Sequence, residues 1–262
     1  MLLAVDIGNT HTNIALFDQR DVRHHWELAT ALHRTADEYL VVLDSLLRMG
    51  KVEREAVTGA IVASVVPPLT FAWADLTARL VGSGHVLVMD ADTPTGVENL
   101  YVSPRDVGAD RLANAVAAKE VLGCPVIVVD FGTATTLDVV SRDGAYLGGA
   151  ILPGPEMSAE ALYANTARLP RVSIDDPGRA IGRSTDLSIR SGIFYGTVGA
   201  IDSLIERIHA ELGEPCPAVA TGGAGRPFAE ASRHITQFDA FLTLRGLGAI
   251  WRLNREQIGD GV

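Results

Sequence analysis

The stretch "LLAVDIGNTHTNIALF", residues 2–17, decides the fold because a closely similar stretch, "PVIVVDFGTATTLDVV", recurs at residues 125–140. In each copy an apolar run ends in Asp, a Gly follows two residues later, and a Thr comes shortly after the Gly. Apolar runs of this length on either side of a Gly turn predict two strands joined as a hairpin. The sequence therefore predicts two related hairpins, with Asp6 and Asp130 at matching positions.

The segment after the first hairpin predicts further strands and helices. Residues 22–28 alternate at period two, which predicts a third strand whose shared face holds Val22, His24, Trp26 and Leu28. Thr35 and Glu38 form a capping-box pattern, which predicts the start of a helix that Gly50 ends. The remaining predicted elements are strands at residues 59–66 and 85–90 and helices at Phe71–Val81 and Asp106–Leu122.

The segment after the second hairpin predicts the same order of elements. A third strand is expected at residues 145–152 and a helix at Ser158–Leu169. A long helix follows at Leu187–Leu212, and we expect breaks at Gly192 and Gly196 because Gly is a poor helix former. The last predicted elements are strands at residues 217–223 and 237–241 and a closing helix at Leu244–Gln257.

The repeated order predicts an α/β fold made of two duplicated β-β-β-α-β-α-β domains. We place the domains at residues 1–120 and 121–262 and expect a nucleotide-binding cleft between them.

Composition limits the classes of function. The chain has 262 residues and a net charge of −10, which argues against general binding to the phosphate backbone of nucleic acid. No uninterrupted apolar run is long enough for a membrane-spanning helix, so we expect no membrane partner. The two cysteines, Cys124 and Cys216, form no C-x-x-C pattern, and a reduced cytoplasmic protein is the simplest interpretation.

The chemistry of the two hairpins suggests a nucleotide site. Gly lets the backbone approach a ligand closely, and turn amides with a Thr hydroxyl can donate to phosphate oxygens. An Asp beside a phosphate would repel it unless a cation lies between them, and Mg²⁺ shares oxygen ligands with phosphates. The residues alone also allow two ordinary turns. A third glycine turn, Thr221–Arg226, suits the floor of a nucleotide site or is simply another turn.

Many separate stretches, in order along nearly the whole chain, resemble one family. They are "DIGNTHTN", "RTADEY", "ASVVPPL", "PRDVGADRLANAVAA", "VVDFGTATTLDVV", "YLGGAILPG", "LPRV", "IGRST", "SGIFYGTVG", "ATGG" and "FLTLRGL". The chain resembles type III pantothenate kinase, within the superfamily of actin, sugar kinases and heat-shock chaperones. The resemblance implies two ribonuclease-H-like (actin-like) domains. It also implies ATP-dependent phosphorylation of pantothenate to 4'-phosphopantothenate, the first step of coenzyme A biosynthesis.

The resemblance also implies the site residues. Asp110 would be the proton acceptor, Asp130 would bind a monovalent cation, K⁺ or NH₄⁺, and Asp6 would hold Mg²⁺ through phosphate or water. The residues expected to contact ATP are Asp6, Ile7, Gly8, Asn9, Thr10, His11, Thr12, Asn13 and Thr133. Those expected at the pantothenate site are Tyr101, Gly108, Ala109, Asp110, Arg111 and Thr185. A cytoplasmic homodimer is implied as well.

Alternatives remain open when the residues are taken alone. A carboxylate near the start of a helix, such as Asp110, is also favoured by the helix dipole, and Arg111 could form a structural salt bridge instead of binding a substrate carboxylate. His11 stands where the family usually has Asn, and Pro155-Glu156 replaces Gly-rich or apolar residues. Two competing functions are a kinase for another small hydroxyl compound and a non-catalytic regulator built on the same fold.

Overall fold

The first compact unit is built on a five-stranded mixed sheet. The structure, a computed structural model, describes residues 1–259 of the chain, and side chains as far as residue 255. The strands of the first sheet are β1 (Leu2–Ile7), β2 (His11–Asp18), β3 (Asp21–Ala29), β4 (Gly59–Ser64) and β5 (Val86–Val88). Their order across the sheet is β3-β2-β1-β4-β5, with β1, β2 and β3 antiparallel and β4 parallel to β1 and β5.

Helices cover both faces of this sheet. They are α1 (Ala36–Met49), α2 (Pro67–Val81) and α7 (Leu242–Gly259). A further helix, α3 (Ala109–Leu122), packs against α7, where a Cβ on Gly246 would meet the backbone of Ala113. The predicted capping box is present, with the Thr35 hydroxyl accepting from the Glu38 amide and the Glu38 carboxylate accepting from the Thr35 amide. The predicted third strand is confirmed, and Trp26 and Leu28 pack against the core beneath α1 and α2. The predicted face needs one correction, because a register shift between β2 and β3 pairs His24 with Leu16 and Val22 with Phe17, which places Val22 on the opposite face.

The second compact unit repeats this arrangement. Its strands are β6 (Val126–Phe131), β7 (Ala134–Val140), β8 (Tyr146–Pro153), β9 (Ala218–Thr221) and β10 (Ile235–Phe238). Their order is β10-β9-β6-β7-β8, which is the order of the first sheet read from the opposite edge. The helices are α4 (Pro155–Ala164), α5 (Thr185–Leu212) and α6 (Arg226–Ala231). The predicted α/β class is confirmed. The predicted order recurs with one difference, because two helices, α4 and α5, lie between β8 and β9, where the first unit has α1 alone.

Three helix predictions need correction. The helix α2 begins at Pro67 rather than Phe71, and α4 covers Pro155–Ala164 rather than Ser158–Leu169. Both helices carry Pro in their first turn, where the missing amide hydrogen costs nothing. The helix α5 runs without a break. A Cβ at Gly192 or Gly196 would meet nothing within 4 Å, so these glycines lie over open space within a continuous helix.

The compact units do not follow the chain in two simple halves. The first comprises residues 1–117 together with the segment from Phe241, and the second comprises residues 118–240. The segment from Phe241 contains α7, which packs against β1, β2 and β4, whereas the sequence placed it in the second domain. The domain limits 1–120 and 121–262 and the interdomain nucleotide cleft stay predictions. Among the described residues, no helix has the length and apolar character needed to cross a membrane.

Candidate active site

Asp6 lies near the end of β1, on the sheet face that looks away from α1 and α2. Its cross-strand partner on β2 is Asn13, and its partner on β4 is Ala63. Residues paired in this way project from the same face of a sheet. Asp6 is half-buried, so its carboxylate stands beside an amide side chain at the edge of the first hairpin.

The turn of the first hairpin is short and reaches into solvent. The Gly8 amide donates to the His11 carbonyl at 2.9 Å. Asn9, Thr10 and His11 are all exposed. The turn is therefore accessible from solvent, and its contact with ATP stays a prediction.

Asn13 is held by a histidine that the sequence did not assign to the site. His25 Nε2 lies 3.3 Å from Asn13 Oδ1, and the His25 ring packs on Phe241 at a centroid distance of 4.9 Å. Burial lowers the pKa of His25, an effect that the nearby Glu27 carboxylate partly opposes. A neutral imidazole that donates through Nε2 leaves the Asn13 amide hydrogens to point away from His25. His11 Nε2 lies 4.0 Å from Glu27 Oε1.

Two residues predicted to contact ATP are buried. Ile7 belongs to the core of the first unit, which leaves only its backbone to serve a ligand. Thr12 has no exposed surface, and its Oγ1 lies 3.0 Å from Thr30 Oγ1. The direct contacts of Ile7 and Thr12 with ATP stay predictions.

The second hairpin repeats the first. Asp130 is half-buried near the end of β6, and its cross-strand partners are Thr136 on β7 and Thr221 on β9. The Gly132 amide donates to the Ala134 carbonyl at 3.2 Å. Carboxylate and hydroxyl oxygens are hard donors of the kind that suit a K⁺ or NH₄⁺ ion, so the residues present fit the predicted cation.

Two glycines lie in close contact with the backbone of this second turn. A Cβ on Gly154 would lie 2.4 Å from the Gly132 carbonyl oxygen and 2.5 Å from that of Thr133. Gly222, in the predicted third glycine turn, has φ of +98°, and its Cβ would lie 2.4 Å from the Phe131 carbonyl oxygen. Any side chain at either position would displace the turn. Thr133 is exposed at the tip of this turn, and its contact with ATP stays a prediction.

The same face of the second sheet carries a buried carboxylate that the sequence did not single out. Asp138 is fully buried and accepts from Tyr146 Oη at 2.7 Å and from Thr136 Oγ1 at 2.9 Å. Since Thr136 is the cross-strand partner of Asp130, Asp138 orients the hydroxyl next to the predicted cation ligand. Only the strand register reveals this relation.

Asp110 lies in the first turn of α3. Its Oδ1 accepts from the Arg111 amide at 2.8 Å. A Cβ on Gly108 would come within 2.3 Å of that oxygen, so Gly108 leaves room for the carboxylate to fold back over the start of the helix. The Arg111 residue is buried, with 9% of its surface exposed. Gly108, Ala109, Asp110 and Arg111 lie at the start of α3, and their contacts with pantothenate stay predictions.

The loop before α3 positions Tyr101. The Tyr101 amide donates to Asn99 Oδ1 at 3.1 Å, and Asn99 Nδ2 donates to the Pro104 carbonyl at 3.2 Å. Tyr101 is half-buried. Asn99 therefore fixes the backbone on which Tyr101 is carried.

Thr185 belongs to the second unit, where it is the first residue of α5. It is exposed and lines a cavity of about 750 Å³ bounded by β7, β8, α4 and α5. The buried Thr135 Oγ1 also borders this cavity and has no hydrogen-bond partner among the described residues. The cavity is largely apolar, with hydroxyl groups at its margin.

The described residues hold no cluster of three or more His, Cys, Asp or Glu side chains that could bind a metal ion by themselves. A single carboxylate beside a turn that is predicted to bind phosphate nevertheless fits Mg²⁺, because this ion is commonly held by one or two carboxylates together with substrate phosphates and water. Asp6 satisfies that requirement.

Comparison with known proteins decides the family. A family model described as type III pantothenate kinase matches residues 2–207. The chain belongs to the type III pantothenate kinase family. The type III pantothenate kinase of Paramagnetospirillum magneticum is 47% identical over 254 residues, which cover 97% of this chain and 98% of the relative. That of Anaeromyxobacter sp. strain K is 44% identical over 255 residues, covering 97% and 100%.

Solved structures of low identity share the fold of this family member. A Campylobacter jejuni protein described as a Baf family transcriptional activator has a TM-score of 0.62 and 21% identity, covering 97% of this chain and 99% of that one. The activator of 2-hydroxyisocaproyl-CoA dehydratase from Clostridium difficile, with bound ADPNP, has a TM-score of 0.53 and 13% identity, covering 98% and 96%. These likenesses support the two-domain α/β fold.

Proposed function

We propose that the chain transfers the γ-phosphoryl group of ATP to pantothenate, giving 4'-phosphopantothenate in the first step of coenzyme A biosynthesis, with Asp110 as the proton acceptor. Membership of the family, over nearly the whole chain, carries the reaction. The carboxylate of Asp110, held at the start of α3 by the Arg111 amide, carries the assignment of the base.

The reaction needs positioning more than covalent chemistry from the protein. The pantothenate hydroxyl oxygen attacks the γ-phosphorus, the bond from the γ-phosphorus to the bridging oxygen breaks, and ADP leaves. Asp110 orients the hydroxyl and accepts its proton. The bond from the Arg111 amide to Oδ1 fixes the carboxylate so that it does not have to be ordered when the substrate binds. The Arg111 guanidinium pairs with the substrate carboxylate.

The phosphates of ATP are held by the turn amides of the first hairpin and by Thr133 in the second. Asp6 would hold Mg²⁺ through phosphate or water, and the ion would supply neutralisation of the phosphate charge. Asp130 would bind the monovalent cation, with the hydroxyl oxygens of its strand partners Thr136 and Thr221 as further candidate ligands. We further propose a cytoplasmic homodimer in which Tyr101 and Thr185 contribute to the pantothenate site.

The test is phosphoryl transfer from ATP to purified pantothenate with Mg²⁺, in wild type and in Asp110→Asn. General-base catalysis is typically worth about 10²- to 10⁴-fold, so we expect kcat to fall by that order while ATP binding persists. Asp106→Asn is the matched control, because Asp106 is an exposed carboxylate in the short helix just before α3, and its turnover should match wild type. Near-normal turnover in Asp110→Asn would remove Asp110 from the base role.

The cation proposal has its own test. The assay is repeated with and without K⁺ for wild type and for Asp130→Ala. We expect wild type to require K⁺ and the variant to lose most of that response. An unchanged K⁺ response would assign the cation to other residues.

The competing functions predict different outcomes. A folded wild-type protein that hydrolyses or binds ATP but leaves pantothenate unmodified would indicate a kinase for another small hydroxyl compound. A protein that neither binds ATP nor transfers phosphate would indicate a non-catalytic regulator. The presence of Asp6, Asp110 and Asp130 favours the kinase over the regulator.

A further inference from the structure

Thr30, the residue after β3, makes two hydrogen bonds to the turn of the first hairpin. Its Oγ1 donates to the Gly8 carbonyl at 2.7 Å, and its backbone amide donates to the Thr10 carbonyl at 2.9 Å. Thr30 lies outside the repeated motif and was not assigned to the site from the sequence. It is nevertheless the residue that fixes two carbonyl groups of this turn.

A second hydroxyl supports Thr30 from within the core. Thr12 Oγ1 lies 3.0 Å from Thr30 Oγ1, and Thr12 is fully buried. A hydroxyl has one hydrogen to donate. Because Thr30 gives its hydrogen to Gly8, Thr12 must be the donor in the pair. The hydrogen bonds therefore form a chain from Thr12 to Thr30 to Gly8, in which each bond polarises the next.

Because the peptide bond is planar, these contacts also determine the direction of the neighbouring amide hydrogens. In a trans peptide the carbonyl and the following amide hydrogen point in opposite directions. Holding the Gly8 and Thr10 carbonyls towards Thr30 therefore directs the amide hydrogens of Asn9 and His11 away from it. Asn9 and His11 are exposed, and oriented backbone amides of this kind form anion-binding concavities.

We propose that Thr30 is a positioning residue that orients the backbone amides of the first hairpin for the phosphates of ATP, with Thr12 as its supporting donor. The inference rests on the proposed function, since it assumes that this turn holds ATP. Without the Thr30 hydroxyl, the Gly8 carbonyl loses its donor and the peptide between Gly8 and Asn9 can rotate. The affinity for ATP should therefore fall, whereas the affinity for pantothenate should not change.

The second hairpin offers an internal comparison. Gly154 follows β8 as Thr30 follows β3, and its amide donates to the Thr133 carbonyl at 3.1 Å. The backbone hydrogen bond is therefore the same in both copies, and the hydroxyl bond exists only in the first. A Cβ at Gly154 has no space, whereas the first copy has room for a side chain and uses it to hold Gly8.

The test compares Thr30→Val with Thr30→Ser. Val keeps the branched shape and the backbone amide but lacks the hydroxyl, while Ser keeps the hydroxyl. A hydrogen bond of this kind changes a binding constant by roughly five- to tenfold. We expect the Kd for ATP, measured by calorimetry, to rise by that factor in Thr30→Val and to stay within about twofold of wild type in Thr30→Ser. The KM for pantothenate at saturating ATP should hardly change in either variant.

Thr77→Val is the matched control. Thr77 is fully buried, and its Oγ1 donates to the Trp73 carbonyl at 2.6 Å within α2. Its loss should lower the midpoint of thermal unfolding and leave the Kd for ATP unchanged. Thr12→Val provides a second route, with a smaller rise in the Kd for ATP than Thr30→Val, should Thr30→Val fail to fold.

The results separate the positioning role of Thr30 from the proposed reaction. An unchanged Kd for ATP in Thr30→Val, or an equal rise in Thr77→Val, would overturn the positioning role. Wild type that binds ATP but does not phosphorylate pantothenate would refute the proposed reaction while the Thr30 comparison still stands. Wild type that binds no ATP would overturn both.

Discussion

Replacing Gly222 by Ala tests how the second hairpin is held. Gly222 has φ of +98°, and a Cβ there would lie 2.4 Å from the carbonyl oxygen of Phe131 and 2.6 Å from its carbonyl carbon. Phe131 is the residue between Asp130 and Gly132. The Ala methyl group must therefore push the backbone of the turn next to the predicted cation ligand, and no rotation of a side chain can relieve the contact.

Two costs add in this variant. A left-handed conformation costs a non-Gly residue about 1–2 kcal/mol, and forcing an extra methyl into closely packed surroundings costs about 1–3 kcal/mol. We expect Gly222→Ala to lower the free energy of unfolding by about 2–5 kcal/mol. Gly213→Ala isolates the first cost, because Gly213 has φ of +75° and nothing lies within 4 Å of its Cβ position. Its expected loss is about 1–2 kcal/mol.

Urea unfolding of the two variants beside wild type measures the difference. Gly222→Ala should also lose phosphoryl transfer under conditions in which it is folded, because its turn is displaced, while Gly213→Ala should keep wild-type turnover. Equal stability of the two variants would refute the close contact between Gly222 and Phe131. A stable, fully active Gly222→Ala would refute the reasoning altogether.

Two further predictions concern pH and buried polar groups. Burial alone would raise the pKa of Asp202, but hydrogen bonds from Ser232 and Arg233 outweigh it and the pKa is lowered. The Asp202 carboxylate therefore stabilises the fold at pH above the ordinary carboxyl range, and this stabilisation is lost as pH falls through the lowered pKa. Asp202→Asn should cost about 2–3 kcal/mol near neutral pH, measured by urea unfolding, and less at acid pH; an equal cost at both would contradict this. Burial lowers the pKa of His25, so stability falls as pH drops below about 6.5. His25→Gln should flatten that decline, whereas an unaltered pH profile would contradict the burial effect.

The strands and the capping box were predictable because each rests on local sequence. Alternating residues and Gly turns set the strands of both sheets, and the reciprocal bonds of Thr35 and Glu38 involve positions only three apart. The continuity of α5 was not predictable. Gly is unfavourable inside a helix by roughly 1 kcal/mol, and the packing of neighbours such as Ile189, Ile193 and Ile201 outweighs that local cost.

The candidate site was likewise predictable only in part. Asp6, Asp110 and Asp130 could be chosen from short motifs because each motif contains the residue. The groups that orient them could not. His25 is 12 positions from Asn13 and Thr30 is 22 positions from Gly8, and only the pairing of β2 with β3 brings them together. The position of Thr30 directly after the predicted third strand is the local feature that could have drawn attention to it.

The turns of the two duplicated hairpins are held in place by different residues. In both copies the residue after the third strand donates its amide to a carbonyl of the turn, at 2.9 Å from Thr30 and 3.1 Å from Gly154. The first turn leaves space for a side chain, and a hydroxyl uses that space. The second turn lies so close to residue 154 that only glycine fits at that position. Repetition of the motif therefore conserves the backbone contact, while the first turn depends on a hydrogen-bond donor and the second on the absence of a Cβ. It follows that adding a methyl group should damage the second turn, whereas removing a hydroxyl should damage the first.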